Sequence, residues 1–210
     1  EIISPYGIWI AEVMLQQTQL KVVIPYWERW MKAFPTLTDL AEADLQNVLL
    51  LWQGLGYYSR AKRIHHSSKL LVDFIGNNSC LDPSSWPVDL DEWLSLPGIG
   101  RSTAGSILSS AFDIPEPILD GNVKRVFSRL LATEISPRKN EKKLWEFSSG
   151  LISDLSPRDF NQALMDLGAL ICTPKKPSCS SCPIQNSCIA YSKYDPSNFP
   201  KKEMIKINPC

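Results

Sequence analysis

The stretch Leu96-Pro97-Gly98-Ile99-Gly100-Arg101-Ser102-Thr103-Ala104-Gly105 constrains this chain more than any other. An apolar helical run ends at Leu96, Pro97 and two glycines turn the chain, and a small-residue helix restarts at Ser102-Thr103. Proline cannot continue a helix and glycine tolerates positive φ, so the segment predicts a tight reversal, a helix–hairpin–helix. The second helix must begin with N–H groups that its own ladder cannot use, which suits a phosphate oxygen. A Pro-Gly-x-Gly turn also serves as an ordinary helix connection. Arg101, Ser102 and Thr103 add donors where the N–H groups are unused and favour the phosphate reading, with Gly98 and Gly100 shaping the grip. Just downstream, Asp120 lies in Leu119-Asp120-Gly121-Asn122-Val123. It could meet a gripped strand, or simply cap the helix starting near Asn122.

Helical periods recur along the chain and strand signals are almost absent. Leu20, Val23, Ile24, Trp27, Met31 and Phe34 form one apolar stripe, with Thr18 as its expected N-cap. Leu45, Val48, Leu49 and Trp52 repeat the period until Gly54. Further helices are predicted from Ser59 through Leu71, over Leu90–Leu96, Ser102–Phe112, Asn122–Ala132 and Lys143–Leu155. A last long one is striped by Phe160, Leu164, Leu167 and Ile171, and the proline-bearing tail after Cys188 is expected to be mostly irregular. Pro115-Glu116-Pro117 breaks helix on both sides and is the best lobe boundary. The expected organisation is a helical lobe over 1–114 carrying the hairpin. A second lobe over 115–210 carries the cysteine loop and is completed by N-terminal residues, with Asp120 where the lobes meet.

The 22 basic and 22 acidic residues balance, which argues against long-range steering by a strongly basic body but leaves room for a local basic face. No apolar run is long enough to cross a membrane. The chain opens without Met or a signal-peptide pattern and reads as a piece of something longer. Four of its six cysteines crowd into Cys172-x6-Cys179-x2-Cys182-x5-Cys188, whereas Cys80 and Cys210 stand alone without an assigned role. Clustering at one end suits a metal site in a reducing, intracellular setting better than a disulfide framework. Four thiolates can encircle an iron–sulfur centre or zinc, and spacing leaves that choice open. Either would be architectural, because no ligand position stays open.

Gly54-Leu55-Gly56-Tyr57-Tyr58-Ser59-Arg60 reads as a second loop-to-helix entrance, its aromatics suited to a base stack or to the core. Glu12 sits among apolar neighbours, where burying an ionised acid is costly. It points to solvent, or lies in a cleft with a raised pKa suited to proton donation. Gln16, Gln17 and Gln19 offer amides for base edges, and His65 and His66 read as surface or packing residues.

Residues 5–190 resemble the catalytic region of adenine DNA glycosylases of the MutY type, in the helix–hairpin–helix glycosylase superfamily. The match runs through Trp9–Gln19, Gly54–Arg60, Leu96–Gly105, Ile118–Val126, Phe160–Cys172 and the cysteine array. The resemblance implies an all-α fold of two helical lobes flanking a DNA-binding cleft. It also implies a [4Fe–4S] cluster on Cys172, Cys179, Cys182 and Cys188. The implied reaction is hydrolysis of the N-glycosidic bond of adenine mispaired with 8-oxoguanine or guanine, on a base turned out of the stack. Glu12 is then the general acid, Asp120 the carboxylate that stabilises positive charge on the sugar, and Asn122 their support. Gln17, Thr18, Leu55, Gly56 and Tyr57 would enter or contact the stack, and Trp9 and Asp166 would line the adenine pocket. Endonuclease III-like enzymes carry a nucleophilic lysine after the hairpin arginine. Ser102 stands there in this chain, so strong β-lyase activity is not expected. The expected partner is double-stranded DNA with a mispaired adenine, bound by a monomer without membrane contact. The family's C-terminal domain, which helps recognise 8-oxoguanine, falls outside this sequence, so discrimination of the opposite base is expected to be incomplete. The alternatives are an endonuclease III-like pyrimidine glycosylase and a non-catalytic DNA-binding module.

Overall fold

A computed structural model of the protein describes residues 4–76, 82–152 and 156–202. Cys80 and Cys210 lie outside them. The chain divides into two compact units, Glu1–Glu116 and Pro117–Cys210. The division falls two residues beyond the expected boundary, because Ile114 still packs on the first core while Ile118 opens the second. Among the described residues there is no strand, and no helix is long and apolar enough to cross a membrane.

The first unit contains α1 (Pro5–Leu15), α2 (Leu20–Ala33), α3 (Leu37–Glu42), α4 (Leu45–Trp52), α5 (Ser59–Ile75), α6 (Leu90–Leu94) and α7 (Arg101–Phe112). Local chemistry sets their starts. Ser4 caps α1 ahead of Pro5, Asp44 Oδ1 accepts the Gln46 N–H at 2.7 Å, and Thr36/Asp39 and Asp89/Glu92 form reciprocal capping boxes on α3 and α6. Each such cap contributes about 1 kcal/mol. The core is rich in indole, with Trp9, Trp30, Trp52 and Trp93 wholly buried. Trp30 meets Trp52 edge to face at 5.6 Å, and its Nε1 donates to the Tyr6 hydroxyl at 3.2 Å. Large rings bury much apolar area, and three of these four indoles also satisfy their polar handle inside the unit.

The α2 stripe reaches the core less completely than its period suggests. Val23 and Phe34 are buried, but Leu20 and Ile24 are exposed. Thr18 is not the cap. Gln19 holds that position without a side-chain bond, because the Thr18 hydroxyl is taken by Arg60 and by the Gln16 carbonyl.

The second unit contains α8 (Gly121–Leu130), α9 (Glu141–Leu151), α10 (Pro157–Asp166) and α11 (Ile189–Lys193) around Ile118, Val123, Val126, Phe127, Leu144 and Leu164. The helix expected to run to Ile171 changes character after Asp166. Leu167–Ile171 forms a π-turn in which the Cys172 N–H reaches back to the Leu167 carbonyl at 2.7 Å. The helix predicted to Leu155 ends at Leu151, and 153–155 lie outside the described residues. The described part of the tail, to residue 202, is more ordered than its prolines imply, with α11, a 3₁₀ turn at Pro196–Asn198 and a buried Phe199 against Tyr194.

Candidate nucleic-acid interface and cysteine pocket

The predicted hairpin is present between α6 and α7. Trp93, Leu96 and Ile99 anchor it in the core, while Gly98 turns at φ +86°. The positive φ calls for glycine, and a Cβ on Gly98 would also come within 2.7 Å of Cδ of the exposed Arg63, whose side chain would have to move. Gly100 holds the N-cap position of α7 and offers no capping side chain. The first-turn N–H groups of α7 therefore lie outside the helical ladder, beside an exposed Arg101 and half-buried Ser102 and Thr103. Gln16 braces this turn, its Nε2 donating to the Gly98 carbonyl at 3.4 Å and to Thr103 Oγ1 at 3.2 Å. Its amide was expected to be available for base edges and is instead spent on the hairpin.

Arg60, on the first turn of α5, is the buried hub of two loops, 6% exposed. Nη1 donates to the carbonyls of Val13, Met14 and Gln16 at 3.1, 2.9 and 2.7 Å. Nη2 donates to Thr18 Oγ1 at 3.3 Å and to the carbonyls of Leu55 and Gly56 at 3.1 and 3.3 Å. The guanidinium thus serves the carbonyls that the end of α1 leaves over, where a cation is favoured. It also lies over the rings of Trp52 and Tyr57, at 5.2 and 5.4 Å. Burial pulls its pKa below the ordinary guanidinium value, with Tyr57 acting in the opposite direction.

The two loops that Arg60 gathers carry the expected stack-entering residues. Gln17 is exposed at φ +59° and Tyr57 is 62% exposed at φ +48°. Left-handed non-glycine residues cost about 1–3 kcal/mol each and persist only where their surroundings over-determine them. Leu55 differs from expectation. It is buried in the core, so it supports the loop rather than projecting from it. Gly56, half-buried at φ +72°, gives its carbonyl to Trp52 Nε1.

Glu12 is half-buried on α1. Trp9, expected to line a base pocket, is wholly buried between Tyr6 and Trp93. It lines a small cavity with Gln16, Arg60, Arg63 and Pro97–Ile99.

In the second unit Asp120 is half-buried and caps α8, its Oδ1 accepting the Val123 N–H at 2.8 Å. Two residues on, Asn122 Oδ1 accepts from Arg125 Nη2 at 2.9 Å. Arg125 also donates to the Gly168 carbonyl at 2.6 Å and, through Nε, to the Cys172 carbonyl at 2.8 Å. The capped helix start is therefore joined to the π-turn and the first cysteine. Asp166, expected in the base pocket, is exposed at the end of α10 and bonded to Gln162.

The four clustered cysteines line one pocket of about 320 Å³, counting its open mouth, together with Arg129, Ile171, Gln185, Tyr191 and two prolines. Among the described residues, no three His, Cys, Asp or Glu side chains converge as a site for one metal ion. Burial and the charge of neighbouring cysteines push the Cys179 thiol up. Burial also raises Cys182, against a backbone hydrogen bond at Ile184. Arg129 is the buried cation of this pocket. It donates to the carbonyls of Cys172, Thr173, Pro174, Pro196 and Phe199 and to Cys172 Sγ at 3.3 Å. A set of four thiols around one cavity, with a buried guanidinium beside them, fits an anionic thiolate-bound centre. Sequence reasoning missed Arg60, Arg125 and Arg129. Their only outward signal was basic residues inside otherwise apolar helix starts or stripes.

Known proteins share this fold and the cysteine loop. Residues 10–149 match the model of the HhH-GPD superfamily base excision DNA repair protein, and residues 172–188 match the iron–sulfur binding domain of endonuclease III. The chain is 41% identical to an adenine DNA glycosylase of Buchnera aphidicola (subsp. Schizaphis graminum) over 96% of its length and 57% of that protein's. It is 44% identical to the Mus musculus adenine DNA glycosylase, over 90% of this chain and 36% of the relative. The chain thus spans about a third to somewhat over half of such relatives. Among solved structures, a thermostable thymine-DNA glycosylase superposes with a TM-score of 0.77 at 26% identity, covering 90% of this chain and 85% of that one. A non-covalent endonuclease III–DNA complex gives 0.73 at 26%, covering 91% and 86%.

Proposed function

Because the chain belongs to the HhH-GPD superfamily of base excision DNA repair proteins, we propose that it is the catalytic region of an adenine DNA glycosylase. In this reading it releases adenine mispaired with 8-oxoguanine or guanine. The observation that carries the reading is the 38–44% identity to adenine DNA glycosylases over about nine-tenths of the chain, against 26% to the endonuclease III and thymine-DNA glycosylase structures.

Adenine leaves poorly as an anion, so its ring must gain a proton as the bond to the sugar breaks. Glu12 supplies that proton to the extruded base and afterwards helps to activate water. Asp120 faces the positive charge that develops on the sugar. Its α8 cap employs one carboxylate oxygen and leaves the other for the sugar. Asn122, held by Arg125, supports the same site. The hairpin N–H groups with Arg101, Ser102 and Thr103 hold a backbone phosphate, and Gln17, Thr18 and Tyr57 meet the base stack. With Ser102 where a Schiff-base lysine would stand, the product is an intact abasic strand.

Cys172, Cys179, Cys182 and Cys188 would hold a [4Fe–4S] cluster. When bound, it supplies a cross-brace that ties four points of the 172–188 loop together.

The test is incubation with labelled A·8-oxoguanine, A·G and thymine-glycol duplexes, with and without alkali. Alkali-dependent cleavage at adenine supports the reading. Cleavage at thymine glycol alone rejects it in favour of a pyrimidine glycosylase, and binding without base release rejects it in favour of a non-catalytic module.

A further inference from the structure

We propose that Arg60 is a positioning residue that presents Gln17 and Tyr57 to the base stack as one element. The inference rests on the proposed function only in taking duplex DNA as the ligand.

Three observations carry it. One buried guanidinium holds the carbonyl before Gln17, at 2.7 Å, and the carbonyl before Tyr57, at 3.3 Å. The two residues it thereby fixes are both exposed and both left-handed, at φ +59° and +48°, a conformation that side-chain-bearing residues adopt only when neighbours impose it. The Tyr57 ring also rests over the same cation, 5.4 Å from its centre, which orients the aromatic face as well as the backbone. An exposed aromatic and an exposed amide, held in unfavourable backbone states by a shared charge, make a preorganised two-point wedge rather than two flexible loop tips. The cost of ordering them is met on folding instead of on binding.

Lysine cannot reproduce this hub, because an ammonium has no planar fork to serve carbonyls on two sides. The full chain is compared with R60K, Y57A and the double variant. The readouts are thermal unfolding, affinity for undamaged duplex, fluorescence of a 2-aminopurine placed beside the mispair, and single-turnover base release. R60K is expected to keep undamaged-duplex affinity within about threefold while losing most of the unstacking signal and at least tenfold in single-turnover rate. Because Arg60 acts partly through Tyr57, R60K is expected to cost less in the Y57A background than alone, a non-additive cycle whose remainder is the lost hold on Gln17. If R60K does not fold, T18V replaces it, since it removes one acceptor of Nη2 without removing a charge. A smaller loss with the same non-additivity is then expected. Unstacking by R60K or T18V equal to wild type, additive losses, or no unstacking by wild type would overturn the inference. Wild-type unstacking without adenine release faults the proposed activity and leaves this inference standing.

Discussion

Gly168 packs so closely on Asn122 that a Cβ at position 168 would lie 2.7 Å from the Asn122 Cβ and 3.4 Å from its backbone. Part of that neighbour is main chain at the first turn of α8 and cannot swing away. Gly168→Ala is expected to destabilise the protein by about 1–3 kcal/mol through overpacking. It should also displace Asn122 from Arg125, lowering base release more than duplex affinity. Denaturant unfolding and single-turnover assays check both, and unchanged values in each would contradict the contact.

Asp120 carries a structural and a proposed chemical duty, and two substitutions separate them. Asn caps helices about as well as Asp, whereas Ala forfeits about 1 kcal/mol. Asp120→Asn is therefore expected to unfold at the wild-type denaturant midpoint yet lose base release. Asp120→Ala should lose both. A destabilised Asn variant would show that the carboxylate charge itself matters to the cap.

Arg129→Met removes the donor that serves five carbonyls and the Cys172 sulfur. Stranding those acceptors inside the unit is expected to cost about 1–3 kcal/mol for each carbonyl left buried and unpaired. Iron and sulfide retained per chain after desalting should fall with it. Full retention at an unchanged unfolding midpoint would show that the loop holds its shape without the guanidinium.

His65 is buried with Nε2 2.9 Å from the Ala43 carbonyl oxygen, and burial holds its pKa below the ordinary 6.5. The unfolded chain therefore binds the proton more readily. Stability should decline as pH falls below about 6.5. Comparing wild type with His65→Gln from neutral to mildly acid pH isolates the effect. The variant should lose less stability over that range.

Some of this molecule could be read from its letters because local chemistry decides it. Pro97, Gly98 and Gly100 dictate a reversal wherever the chain folds, and four closely spaced cysteines can share one pocket without help from distant sequence. Arg60 and Arg129 could not be read so. Which carbonyls a fold leaves over is settled only when loops distant in sequence arrive beside one another, and until then an arginine looks like a surface cation. Leu55 fails for the mirror-image reason. A motif flags it as important, but tertiary burial makes it a support for its neighbours. The π-turn at Leu167 was hidden as well, because a single i→i+5 bond leaves the hydrophobic period of Phe160, Leu164 and Leu167 intact.

The bond pair from Gln16 to Gly98 and Thr103 makes the hairpin a poor candidate for transplantation. A peptide cut from Leu90 to Phe112 would keep every glycine yet lose the brace that arrives from more than eighty positions upstream. The phosphate grip proposed for it would then have to be assembled anew at each encounter, so the isolated motif is expected to bind duplex more weakly than the same residues within their own unit.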